Sequence, residues 1–153
     1  MSGQLVEAEE KTVNRRVPFP PGRQDSGGPP KLLSVFTDAE DSVSVERIVA
    51  PSHWTVLRAS GCRQARSVLK LHKVAVVLCD QTLPDGSWRE VLRDVAGVAN
   101  APVLVVASAL ADEALWAEVL NLGAYDLLSK PFRADEVLRT ISLAPRLSMA
   151  ATS

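Results

Sequence analysis

Short apolar runs alternate with amphipathic stretches from residue 31 onward. The apolar runs fall at 32–36, 54–57, 74–79, 103–107 and 125–128. Each is brief and rich in Val or Leu, the pattern of strands buried on both faces of a parallel sheet. The intervening segments carry apolar residues at helical spacing. Val45, Ile48 and Val49 make one stripe; Ala65, Val68 and Leu69 a second; Trp88, Val91, Leu92 and Val95 a third. Leu115, Val119 and Leu122 make a fourth, and Val137, Leu138 and Ile141 a fifth. Five strands alternating with five helices predict an α/β fold, a doubly wound five-stranded parallel sheet flanked by five helices. Right-handed crossovers leave few topologies to choose from.

The turn residues agree with this frame. Gly61 precedes the second helix, Pro84-Asp85-Gly86 predicts a turn before the third, and Gly123 is placed to stop the fourth. Asp112 and Glu113 sit where a helix dipole favours acids.

Composition sets outer limits. The chain has 153 residues with a net charge of -1, which favours one domain and gives no general attraction to nucleic acid or an anionic membrane. Five of its ten prolines lie in residues 1–30, among Gly22, Gly27 and Gly28, so this stretch reads as a disordered tail. Its VPFPPGR segment has the make-up of a docking motif, although an inert tail is the plainer reading. The expected division is therefore a tail over 1–30, a domain over 31–144 and a short tail over 145–153. Cys62 and Cys79 are too few for a disulfide scaffold, and Cys79 reads as a buried free thiol. No apolar stretch reaches the roughly 20 residues that span a bilayer, and the N-terminus lacks a signal-peptide core. A cytoplasmic protein is the expectation.

Chemistry gathers outside the carboxyl ends of strands in open α/β sheets. Those ends carry Thr37, Asp38, Glu40 and Asp41 after the first strand, Asp80 after the third, Ala107 and Ser108 after the fourth, and Ser129, Lys130 and Pro131 after the fifth. Carboxylates, a hydroxyl and a lysine brought together suit cation binding and stabilisation of a phosphoryl oxyanion. No Gly-rich phosphate loop, paired catalytic acids or nucleophile–histidine pair appears, and His53 and His72 lack metal-ligand spacing, so an enzyme is not expected.

Two motifs carry a resemblance. DQTLPDG at 80–86 and GAYDLLSKPF at 123–132 strongly resemble the receiver domain of bacterial response regulators. The resemblance covers residues 31–144. It implies that Asp80 accepts a phosphoryl group from a histidine kinase or phosphotransfer protein and that Lys130 bonds that group. It also implies a cis peptide before Pro131 and a switch hydroxyl. Counting back from Gly123 places that hydroxyl at Ser108; counting on from Pro102 gives Ala107, and Ser108 is preferred because the helix register is tied to the glycine stop. The family's switch aromatic falls on Leu127, with Tyr125 two residues earlier and expected on the same side by alternation.

The chain departs from the family at the acid pair that normally holds Mg2+. That pair falls on Phe36 and Thr37. Asp80, the backbone carbonyl of Thr82 and a displaced Asp38 or Glu40 would then hold Mg2+ only weakly. The resemblance is thus to an atypical receiver, and two readings stand. One is a single-domain receiver phosphorylated on Asp80, with output through a partner protein because no DNA-binding domain follows. The other is a phosphorylation-independent pseudo-receiver acting as an interaction module. In either, Trp116 and Leu120, four apart on the fourth helix, are expected at a partner or homodimer face.

Overall fold

The structure, a computed structural model, describes residues 28–152. The proline-rich N-terminal segment and its VPFPPGR stretch lie outside them. Five strands form the main sheet: β1 (Lys31–Val35), β2 (Thr55–Ala59), β3 (Val76–Asp80), β6 (Val103–Ser108) and β7 (Asp126–Ser129). All neighbours are parallel, in the order β2-β1-β3-β6-β7. The helices are α1 (Ala39–Val49), α2 (Cys62–Leu71), α3 (Trp88–Ala96), α4 (Glu113–Asn121) and α5 (Ala134–Thr152). The expected fold class is the observed one.

Alternation along the strands builds two cores, one on each face. Leu33, Val35, Val77, Cys79, Leu104 and Val106 pack with the apolar sides of α2, α3 and α4. Leu32, Phe36, Val76, Leu78, Val105 and Ala107 pack with α1 and α5. The central strands β1, β3 and β6 are apolar on both faces for this reason. At the edge, β2 differs from expectation: Thr55 and Arg58 are exposed, and only Ala59 is buried, because no strand covers its outer side. Both cysteines are buried and free. Burial pushes both thiols up, and with Asp85 and Glu90 nearby Cys62 rises to about 11, so neither is a ready thiolate.

Helix ends follow local sequence. Asp38 caps α1 by accepting from Glu40 N at 2.9 Å, and Asp112 caps α4 through Leu115 N at 2.8 Å. Ser87 and Glu90 form a capping box on α3. At the end of α4, Ala124 N donates to Val119 O and Gly123 N to Leu120 O, the paired bonds of a Schellman stop, with Gly123 at φ +108°. This turn corrects the fourth stripe. Leu115 and Val119 are buried, but Leu122 lies beyond the helix and is 50% exposed; after the glycine turn, Ala124 takes the buried place instead. At the other end of the chain, α5 runs through 145–152, where a tail was expected. Pro145 removes one backbone donor from the helix, and the Leu-, Met- and Ala-rich residues after it favour continuing.

The turn expected at 84–86 is a two-stranded hairpin, β4 (Thr82–Leu83) with β5 (Gly86–Ser87). Its tip caps a neighbouring helix. Asp85 Oδ1 accepts from Cys62 N at 2.7 Å and Oδ2 from Arg63 N at 3.0 Å, at the start of α2. Gly61, the residue before α2, has no side chain to do this itself, and its lack of one admits Asp85: a β-carbon there would lie 2.7 Å from Asp85 Oδ1. These backbone bonds hold the Asp85 carboxyl below its ordinary range. Among the described residues, no helix is long and apolar enough to cross a membrane.

Gly61→Ala is therefore expected to destabilise the fold by about 1–3 kcal/mol, as overpacking does, and by much less in an Asp85→Ala background, measured by urea titration. The Asp85 contribution has a defined sign. A depressed folded pKa adds stability above the unfolded value of about 3.9 and loses it as pH falls through the folded value. Asp85→Ala should accordingly lower stability at neutral pH and flatten the acid limb of a stability–pH curve.

Candidate functional site

Three parallel strands bring the site together. Asp80 ends β3, in register with Ala107 of β6, and Lys130 follows β7. The Lys130–Pro131 bond is cis, as the resemblance implied. Lys130 Nζ donates to Asp80 Oδ1 at 2.8 Å and to Asp41 Oδ2 at 2.8 Å. The three side chains are 17%, 13% and 23% exposed for Lys130, Asp80 and Asp41. At such exposures an unpaired charge is costly, and an ammonium held between two carboxylates meets that cost by mutual pairing.

The floor under the lysine is aromatic. Its Nζ lies 5.5 Å from the centroid of Phe36, within cation–π range. Phe36 in turn meets Phe132 edge-on, centroids 5.7 Å apart. Burial alone would lower the Lys130 pKa, but the bonds from Asp41 and Asp80 outweigh it and the net shift is upward. Lys130 is thus a cation at any physiological pH.

Ser108 ends β6 and is buried, so the choice of Ser108 over Ala107 puts a hydroxyl at this strand end. Its Oγ donates to Gln81 Oε1 at 2.7 Å and accepts from Leu110 N at 2.9 Å. Gln81 N donates in turn to Asp80 Oδ1 at 3.1 Å. Leu127 packs half-buried on the α2–α4 side, whereas Tyr125 packs on the α1–α5 side. The expectation of a shared side fails because β7 begins only at Asp126, and strand alternation does not reach back to Tyr125.

The residues do not assemble the Mg2+ site that the resemblance implies. Phe36, at the place of the first acid, is buried and apolar. Thr37 Oγ1 donates to Thr82 O at 3.2 Å, so the carbonyl expected to face a metal already accepts a hydrogen bond. The Asp38 carboxylate caps α1 rather than turning to the lysine. Asp41, three residues on, is the acid that arrives, and an ammonium separates it from Asp80. Among the described residues, no three His, Cys, Asp or Glu side chains come together as a metal would need.

Of the expected site residues, Asp80 and Lys130 meet, Ser108 joins through Gln81, and Asp38 stays apart. Asp41 lay in the acidic stretch after the first strand, but nothing in its spacing set it above Asp38. Gln81 and Phe132 escaped notice as site residues. The neighbours of Asp80 and Lys130 in the two motifs were the available signal.

The response regulator receiver domain profile matches residues 39–142. The transcriptional regulatory protein KdpE of Mycobacterium tuberculosis is 37% identical over 121 residues, covering 78% of this chain and 53% of KdpE, so the chain spans about half that relative's length. Among solved structures, the receiver domain of a putative LuxO repressor protein from Vibrio parahaemolyticus superposes with a TM-score of 0.74 at 21% identity, over 81% of this chain and 95% of that one. A CheX–CheY–BeF3–Mg complex from Borrelia burgdorferi gives 0.70 at 22% identity, over 78% and 91%. Receiver domains are generally signalling modules rather than enzymes. They generally bind Mg2+ at the phosphorylation site, and they interact with kinases, phosphotransfer proteins and downstream partners and can dimerise. With the receiver profile spanning most of the folded region, a parallel sheet in receiver order and the aspartate–lysine pair at its carboxyl edge, this chain belongs to the response regulator receiver domain family, the receiving module of two-component signalling.

Proposed function

We propose that this receiver accepts a phosphoryl group on Asp80 from a histidine kinase or phosphotransfer protein, in the cytoplasm, and signals through a protein partner. One observation carries the reading: Lys130 Nζ lies 2.8 Å from Asp80 Oδ1, above the buried ring of Phe36. Both hydrogen bonds described for the Asp80 carboxylate fall on Oδ1, so Oδ2 is the oxygen we assign to the attack. It forms the new bond to phosphorus as the bond to the donor breaks. Lys130 meets the phosphoryl oxygens with fixed positive charge, and positioned charge of this kind supplies much of the barrier lowering in phosphoryl transfer. Ser108 is the hydroxyl that bonds a phosphoryl oxygen once the group is in place. No step is assigned to Mg2+, because the residues present do not fit it.

The partner face follows from α4. Trp116 is 50% exposed and Leu120, one turn on, is half-buried, so an aromatic and an aliphatic group share one outward strip. We assign this strip to a second copy of the chain, because receivers can dimerise and a large exposed aromatic is a strong anchor.

Incubation with acetyl phosphate should add one phosphoryl group to the wild-type mass, and Asp80→Asn should abolish the addition. An unmodified wild type after long incubation would instead leave an interaction module. For the metal, Thr37→Asp releases the Thr82 carbonyl and adds a carboxylate. Calorimetry should show Mg2+ binding roughly tenfold tighter than in the wild type, since affinity scales with ligand charge; equal affinities would mean that a metal site already exists. For the interface, Trp116→Ala should weaken self-association by about tenfold in sedimentation equilibrium while thermal stability barely moves, as for surface substitutions generally. Lost stability with unchanged association would place Trp116 in the core.

A further inference from the structure

A serine hydroxyl has a single proton to donate. In Ser108, which is 4% exposed, that proton goes to the side-chain oxygen of Gln81 at 2.7 Å. The same Oγ accepts from Leu110 N at 2.9 Å and so ties down the loop between β6 and α4. Gln81 itself has little freedom in its backbone. Its N–H donates to Ala107 O at 3.0 Å and to Asp80 Oδ1 at 3.1 Å, and its carbonyl accepts from Trp88 N at 3.2 Å at the start of α3. One continuous chain of hydrogen bonds therefore runs Asp80–Gln81–Ser108–Leu110. Two residues past Leu110, Asp112 caps α4, the helix that carries Trp116 and Leu120.

We propose that Gln81 is a latch. It is a positioning residue that holds the Ser108 hydroxyl away from the reacting group at rest and couples release of that hydroxyl to the loop ahead of α4. The inference rests on the reading of Asp80 as phosphoacceptor. No proton is transferred in the step. When phosphorus bonds to Asp80, the Ser108 O–H exchanges one acceptor, the Gln81 amide oxygen, for another, a phosphoryl oxygen. As Oγ turns, Leu110 N loses its partner. Residues 109–111 then have no side-chain tether from Ser108, and the exposed Leu110 and the first turn of α4 are free to take a second arrangement. Gln81 thus opposes activation by about the worth of one net hydrogen bond, which corresponds to a factor of roughly three to ten.

Gln81→Met keeps the length of the side chain and removes the acceptor. Gln81→Glu keeps the acceptor and strengthens it with charge. Two readouts are taken at constant pH and Mg2+. The first, hydrogen exchange at the Leu110 amide, needs no phosphoryl chemistry: exchange should rise about three- to tenfold in Gln81→Met and stay at or below the wild-type rate in Gln81→Glu. The second is the rate of modification by acetyl phosphate. It should rise by a similar factor in Gln81→Met, fall in Ser108→Ala, and be the same in the Gln81→Met/Ser108→Ala double variant as in Ser108→Ala alone, since the latch acts only through that hydroxyl. Unchanged Leu110 exchange in Gln81→Met, equal shifts in both Gln81 variants, or an effect of Gln81→Met that persists without Ser108 would each overturn the latch. A wild type that takes no phosphoryl group would sink the reading of Asp80 instead, and the exchange arm would still decide whether Gln81 holds the loop.

Discussion

The burial of one ammonium organises the functional end of this molecule. Lys130 Nζ sits between Asp80 and Asp41, above the ring of Phe36, and all three charged side chains are more than three-quarters covered. None would be comfortable there alone. Removing one partner of such a group leaves an uncompensated charge, commonly a loss of about 3–5 kcal/mol. The parallel sheet is what brings the partners together. β3 and β7 flank β6 and end at the same carboxyl edge of the sheet, and the first turn of α1 reaches across from β1. A charge triplet drawn from residues 41, 80 and 130 could not persist in a chain whose strands ran otherwise.

Among the described residues, the triplet brings only two acids together, and no third metal-ligating side chain joins them. Where the family generally places acids, this chain has a buried phenylalanine and a threonine. The phenylalanine serves as floor for the lysine and packs on Phe132. The threonine closes the Thr82 carbonyl. The positive charge that two carboxylates demand is supplied by the protein itself, from a side chain whose pKa is raised by the same contacts.

Around the triplet the support is local and redundant. The β4–β5 hairpin follows Asp80 directly, reaches the start of α2 through Asp85 and leads into the capping box of α3. Gln81 begins that segment and bonds the end of β6 and the start of α3. Asp80 is thus followed by a residue whose backbone N–H and carbonyl are both bonded, which helps to fix the carboxylate.

Much of this was legible in the residues alone. Strand and helix order, the two-faced core and the strand-end cluster follow from periodicity, which depends on neighbours a few positions apart. Asp80 and Lys130 could be named because motif and strand end coincide, and Ser108 by counting back from the Gly123 stop. Caps and stops at Asp112 and Gly123 are equally local. The tertiary structure alone decided what depends on distance in space. Asp38 and Asp41 are both acids after the first strand. The helix start engages the first as its cap, and the second, three residues on in the first turn, meets Lys130. Likewise Tyr125 and Leu127 part company because the strand begins between them, and Asp85 finds α2 only because Gly61 leaves room. Periodicity records which side of an element a residue takes; which group on another element it then meets is a matter of packing, and no window of sequence contains it.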